Sequence, residues 1–195
     1  MGDPKFLRRT YDTPKHPWEA TRMEEERKLL RKYALKNKRE LWKAQSILRG
    51  FRRQARDLQA RLRAGEPQAK RETDGLLARL TRLGLLPAGA PTLDDVLAMG
   101  TDEVLRRRFA TVVAEKGLAS TPLAARKLII QGHLAIAGRR MTRPGYLLPS
   151  EAESAIAYAP TSPLLDELHP LRVALREKLS APPREVPSGP PAEVR

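Results

Sequence analysis

Between residues 105 and 146 the sequence sets nine Lys/Arg side chains, Arg106, Arg107, Arg108, Lys116, Arg126, Lys127, Arg139, Arg140 and Arg143, against a single acid, Glu115. Cations this dense repel one another in the free chain, and a polyanion relieves that repulsion. The chemistry open to them is the binding of phosphates. Other chemistries find less support. The three histidines, His16, His133 and His169, are far apart, there is no cysteine, and neither a GxxxxGK nor a GxGxxG loop occurs. The carboxylates of Glu24-Glu25-Glu26 and Asp94-Asp95 fall at expected helix starts, where the helix dipole accounts for them without catalysis.

The charge is not spread evenly. Lys+Arg 37 against Asp+Glu 23 gives a net charge of +14 over 195 residues, in two basic blocks, residues 1–63 and 105–146, separated by a mildly acidic stretch. This balance suits a nucleic-acid partner better than an acidic small substrate. Absence of cysteine excludes a disulfide framework and thiolate zinc sites. The first residues lack the apolar core of a signal peptide, and no run approaches the roughly 20 apolar residues of a membrane span. A soluble cytoplasmic protein is the default expectation.

The elements that must position these cations can be read in order. Residues 1–20 carry Pro4, Pro14 and Pro17 among Lys5, Arg8, Arg9 and Lys15, with Phe6, Tyr11, His16 and Trp18 interleaved. They predict an extended basic arm whose aromatics suit stacking on bases; the bland alternative is a solvated terminus. Thr21 and Glu24 have capping-box spacing, so a helix is expected from about Arg22 to Tyr33. From Lys38 a longer helix follows, with Leu41, Ala44, Leu48, Phe51, Ala55, Leu58 and Leu62 on one seam. Arg49, Arg52, Arg53 and Arg56 lie off that seam, where RNA is a better partner than a second coiled-coil strand because acids are scarce between residues 38 and 63. Gly65-Glu66-Pro67 breaks this rod. A packing helix then spans about Gln68 to Leu83, stopped by Gly84, and Thr92 with Asp95 caps a short one.

In the second block, Thr101 or Asp102 should cap one helix running to Lys116, with Gly117 as its stop. Thr121-Pro122 states the next helix start twice, and that helix should end at Gln131 with Gly132 at positive φ. Ala124, Ala125, Leu128 and Ile129 form its apolar arc, and Arg126, Lys127 and Gln131 point the other way. Leu123 and Ile130 interrupt the polar side, so part of it should pack against protein. His133–Ala137 alternates like a strand, Gly138 supplies a turn, and Arg139 and Arg140 are placed to clamp phosphates. Gly145–Leu148 and Ser154–Tyr158 are expected to complete a small antiparallel sheet. The fold class is therefore α+β, divided into an arm (1–20), a helical basic domain (21–104), a helix-and-sheet module (105–165) and a C-terminal helix with a flexible, proline-rich tail (166–195).

The stretch GLASTPLAARKLIIQGHLAIAGRRMTRPGYLL, with the arginine-led helix before it, closely resembles the RNA-binding module named after the S-four protein of the small ribosomal subunit. Outside the module, MGDPK, YDTPKHPW, KNKRELWKAQSILRGFRRQAR and YAPTSPL resemble the archaeal type of that ribosomal protein family. The resemblance implies a structural, non-enzymatic protein that binds small-subunit ribosomal RNA early in assembly, sits as a monomer among neighbouring small-subunit ribosomal proteins, and needs no cofactor or metal. Carried over position by position, it nominates Arg106, Arg107 and Arg108, then Thr121, Arg126, Lys127 and Gln131, and His133, Arg139 and Arg140 as RNA-binding. To these the charge pattern adds Arg49, Arg52, Arg53 and Arg56, with Lys5, Arg8 and Arg9 of the arm. The same module also accompanies RNA-modifying enzymes, and a free RNA chaperone is a third reading. The enzyme would need a separate catalytic domain, for which residues 1–104 show no strand-and-loop pattern.

Overall fold

The computed structural model describes residues 9–87 and 89–180. The elements in chain order are α1 (Ala20–Lys32), α2 (Lys38–Arg63), α3 (Pro67–Arg82), α4 (Leu93–Ala98), α5 (Thr101–Arg106), α6 (Phe109–Glu115), α7 (Pro122–Gln131), β1 (Leu134–Ile136), β2 (Arg139–Arg140), β3 (Ile156–Tyr158) and α8 (Pro170–Ser180). The α+β class is the one expected. Among the described residues no helix is long and apolar enough to cross a membrane.

Helix α2 organises the first half. Asn37 caps it by accepting from the Glu40 amide at 3.2 Å, and Leu41, Ala44, Leu48, Ala55 and Leu58 of its seam are buried, with Phe51 and Leu62 partly so. A fully buried leucine contributes about 1.5–3 kcal/mol, so this seam alone commits α2 to the core it forms with α1, α3, α4 and α5. The short α4 is held by a complete capping box between Thr92 and Asp95. Helix α1 departs from the sequence expectation. It begins at Ala20 with Glu19 at the cap, and no Thr21–Glu24 box forms. Arg22 sets this start instead, donating to the carbonyls of His16 and Pro17 at 2.8 and 2.9 Å and pairing with Glu26 at 2.6 Å. Glu26 is itself buried against the Trp42 indole N–H, 3.0 Å away.

The single helix expected from residue 101 to 116 is two. Gly100, not Thr101 or Asp102, stands at the cap of α5, and the backbone is extended at Arg108 before α6 begins. Two cores meet at the break. Leu105 packs with the helical half, whereas Phe109 belongs to a second cluster with Val113, Ala125, Ile129, Leu134, Leu148 and Ile156. The backbone groups freed there are taken up by residues 144–148: Phe109 N–H donates to the Tyr146 carbonyl (2.8 Å), Ala110 N–H to Pro144 (3.2 Å), and Leu148 N–H to the Arg107 carbonyl (3.0 Å). Gly145–Leu148 therefore does not join the sheet. It contributes one antiparallel bridge, Leu147 to Arg108.

The sheet order is β2-β1-β3, all antiparallel, with Ile136 opposite Arg139 and Ile156. Ala137 and Gly138, at φ 47° and 77°, make the two-residue turn between β1 and β2, the primed geometry that matches strand twist. Helix α7 follows the sequence reading closely. Thr121 accepts from the Ala124 amide, Pro122 opens the helix, and Gly132 ends it at φ 81°. The C-terminal helix is present as α8, and the tail from residue 181 lies outside the described residues.

Candidate nucleic-acid interface

Helix α7 and the β1–β2 hairpin adjoin at Gly132. Lys127 and Gln131 on α7 and Arg139 and Arg140 on β2 are all exposed, and among the described residues no hydrogen bond or ion pair engages the side chains of Lys127, Arg139 or Arg140. Gly132 joins the two elements. A Cβ built there would lie 2.8 Å from Cδ of Arg140, so the missing side chain gives the arginine stem room to cross the end of α7. His133 is half-buried with Nδ1 3.0 Å from Ser162 Oγ. Thr121 spends its hydroxyl on the helix cap.

The arginines at the junction of the two cores are placed differently. Arg108 is 7% exposed and donates to Glu40 Oε2 at 2.7 Å. Arg126 meets the same carboxylate with both terminal nitrogens, at 3.0 Å to Oε2 and 2.7 Å to Oε1. One acid on α2 thus holds two cations that lie 68 and 86 residues away. Burial alone would raise the Glu40 carboxyl, but the Arg126 hydrogen bonds and the attraction of Arg108 outweigh it and hold the group below the ordinary carboxylate range. Burial in turn pushes the Arg108 guanidinium below its usual value, against the pull of Glu40. Arg107 pairs with Glu153 and donates to the Leu148 carbonyl at 2.9 Å. Arg106 is exposed at the end of α5, beside Tyr33 and Asp102.

On α2, Arg53 and Arg56 are exposed without a partner among the described residues. Arg52 turns inward and donates to the Met99 carbonyl at 2.5 Å. Arg49 holds the arm through Asp12 at 2.9 Å. Of the arm, Arg9 is exposed, whereas Lys5 and Arg8, with Phe6, lie outside the described residues. Tyr11 rests on Trp42, ring centroids 6.1 Å apart.

A cleft runs between the two halves, lined by Glu40, Lys43 and Ile47 of α2, Arg126 and Ile130 of α7, and the 142–147 segment with Arg143 and Tyr146. The Glu40 cluster forms its floor, and exposed Lys43 and Arg143 its cationic rim. The sequence places Lys43 off the α2 seam with the other cations of that helix but does not single it out, and Arg143 enters only as part of a charge count. The i+3 step from Glu40 to Lys43 is the one local signal that ties Lys43 to this place. Ile130 and Leu123 remain 56% and 54% exposed, so this chain leaves both largely uncovered. Among the described residues no group of three His, Cys, Asp or Glu is arranged to hold a metal ion.

A helix pair set on a small antiparallel sheet and tied through Glu40 to a helical half is the class of structure that known families describe in two parts. Residues 107–154 match the S4 domain, and residues 5–106 match the ribosomal protein S4/S9 N-terminal domain. Curated relatives include the small ribosomal subunit protein uS4 of Thermoplasma acidophilum, 48% identical over 90% of this chain and 87% of its own length. That of Picrophilus torridus is 49% identical over 90% of this chain and 95% of its own, and that of Methanococcus aeolicus 47% over 88% and 96%. The chain belongs to the uS4 family of small ribosomal subunit proteins.

Proposed function

We propose that this protein is a structural constituent of the small ribosomal subunit that binds small-subunit ribosomal RNA directly. The observation that carries the reading is the set of exposed cations left without an internal partner, Arg53 and Arg56 on α2 and Lys127, Arg139 and Arg140 on the module. Membership of the uS4 family supports the ribosomal setting. Within the wider set drawn from the sequence, these five residues with Gln131, Arg106 and Arg9 are free to meet phosphates, and Lys43 and Arg143 join them. Arg107, Arg108, Arg126 and Arg52 act first on the protein: Arg108 and Arg126 tie the module to α2 through Glu40, whereas Arg107 bonds within the module and Arg52 within the helical half. A-form RNA hides its base edges in a deep groove, so such a surface reads shape and phosphate positions.

The reading is of a non-catalytic protein at work in the cytoplasm, a monomer within the subunit and in contact with neighbouring ribosomal proteins. The two matched segments are contiguous, 5–106 and 107–154, which leaves no room between them for the catalytic domain that an RNA-modifying enzyme would add. Titration of the full chain with protein-free small-subunit ribosomal RNA at several salt concentrations tests it. With six to ten phosphates engaged, affinity should fall by roughly 10³- to 10⁵-fold between 50 and 200 mM salt. A flat salt dependence would sink the proposal.

A further inference from the structure

The chain has two tryptophans, and they are used in opposite ways. Trp42 is partly buried on α2, its indole N–H given to Glu26 and its ring set against Tyr11. Trp18, in the turn just before α1, is 87% exposed. Among the described residues no hydrogen bond or ring contact employs its side chain, yet its surroundings are firmly built. Arg22 draws the carbonyls of His16 and Pro17 onto its guanidinium and is anchored by Glu26, with Glu19 3.6 Å from its Nε. The preceding arm is stapled to α2 through Asp12, whose amide donates to Ser46 Oγ (3.2 Å) and whose carboxylate holds Arg49. A large apolar ring is thus held out in water on a stiff support.

We propose that Trp18 is a stacking platform for one unpaired base of the bound RNA, with Arg22 as the positioning residue that holds the turn open. This rests on the reading of the protein as an RNA binder and names one contact in it. The solitary setting of the ring decides between RNA and protein as its occupant. A protein hot spot is ringed by apolar contacts that exclude water. Here the neighbours Lys15, His16, Pro17 and Glu19 are exposed, and among the described residues of the arm and of α1 no other large apolar side chain is exposed. A base needs only a flat π face and accepts a polar surround. Within the arm, Asp12 is already engaged by Arg49, and Arg9 and Lys15 are exposed cations with no ion pair among the described residues.

The test uses the full chain and protein-free small-subunit ribosomal RNA. Stacking should quench the emission of Trp18, and the quenching should vanish in Trp18→Phe, which keeps its affinity because Phe still stacks. Trp18→Leu is equally apolar but has no π face, and should lose roughly 5- to 150-fold in affinity. Arg22→Lys should weaken binding in the wild-type background and have no further effect in Trp18→Leu, whatever it does to the melting temperature. RNA binding with unquenched Trp18, or a Trp18→Leu variant that binds like the wild type, overturns the proposal alone. A blue shift of Trp18 seen only with protein-containing subunits assigns the ring to a protein pocket and also overturns it. Failure of the wild-type chain to bind the RNA at all overturns the functional reading and this one with it.

Discussion

Two pairs of consecutive arginines, Arg107-Arg108 and Arg139-Arg140, are identical as sequence and opposite as structure. The first pair lies where the two cores meet, half-buried and buried, and each member is matched by an acid, Glu153 and Glu40. The second pair forms β2 on the edge of the sheet, exposed and unmatched. A cation's role here is set by whether the fold carries a carboxylate to it. Stretch for stretch, the region from 105 to 146 holds one acid of its own, so every carboxylate that neutralises the junction is brought from outside it, Glu40 from α2 and Glu153 from the turn before β3. The junction uses its charge to join two halves, and the hairpin leaves its charge unmatched among the described residues.

The largest test of this contrast is Glu40→Gln. It leaves Arg108 buried and Arg126 mostly so, without their counter-ion, and removing one member of a buried ionic cluster costs 3–5 kcal/mol. Glu40 retains 21% side-chain exposure, so a loss of about 3 kcal/mol, the low end, is expected in urea denaturation. A loss no larger than that of an exposed substitution would mean that the cluster is ornamental. The next effect is its pH dependence. Because the folded Glu40 carboxyl is held below its unfolded value, its contribution is complete above the unfolded pKa and is lost as pH falls through the folded one. The stability gap between wild type and Glu40→Gln should therefore be widest near neutrality and close in acid. Measured melting temperatures that keep a constant gap down to the acid unfolding transition would contradict the assignment.

What the sequence makes legible follows from the range of the interactions involved. Thr121, Pro122 and Gly132 delimit α7 because caps act over three or four residues, and the α2 seam is readable because its period is local. Thr21–Glu24 has the same kind of local signal and misleads: α1 already begins at Ala20, and Arg22 in its first turn donates back to the carbonyls of His16 and Pro17. The break at Arg107-Arg108 carries no local mark at all. Helical periodicity runs straight through it, and only the division of Leu105 and Phe109 between two cores, with residues 144–148 filling the gap, produces it. For the candidate interface, charge density marks a region of the chain, but it cannot sort Arg126 from Lys127, adjacent residues of which one lies against Glu40 and the other in solvent.

The smallest effect on stability, and the sharpest on binding, belongs to Arg139→Ala with Arg140→Ala. Both side chains are exposed and make no ion pair, so the folded state should change by no more than about 0.5 kcal/mol. If each arginine neutralises one phosphate, the slope of log affinity against log salt should flatten by about 0.7 to 0.9 for each of them. The companion pair, Arg107→Ala with Arg108→Ala, should do the reverse, lowering the melting temperature strongly while the slope of whatever remains folded changes little. Equal behaviour of the two double variants would erase the distinction between them. The outcome rests on geometry more than on charge, because each variant removes the same two positive charges from the same chain.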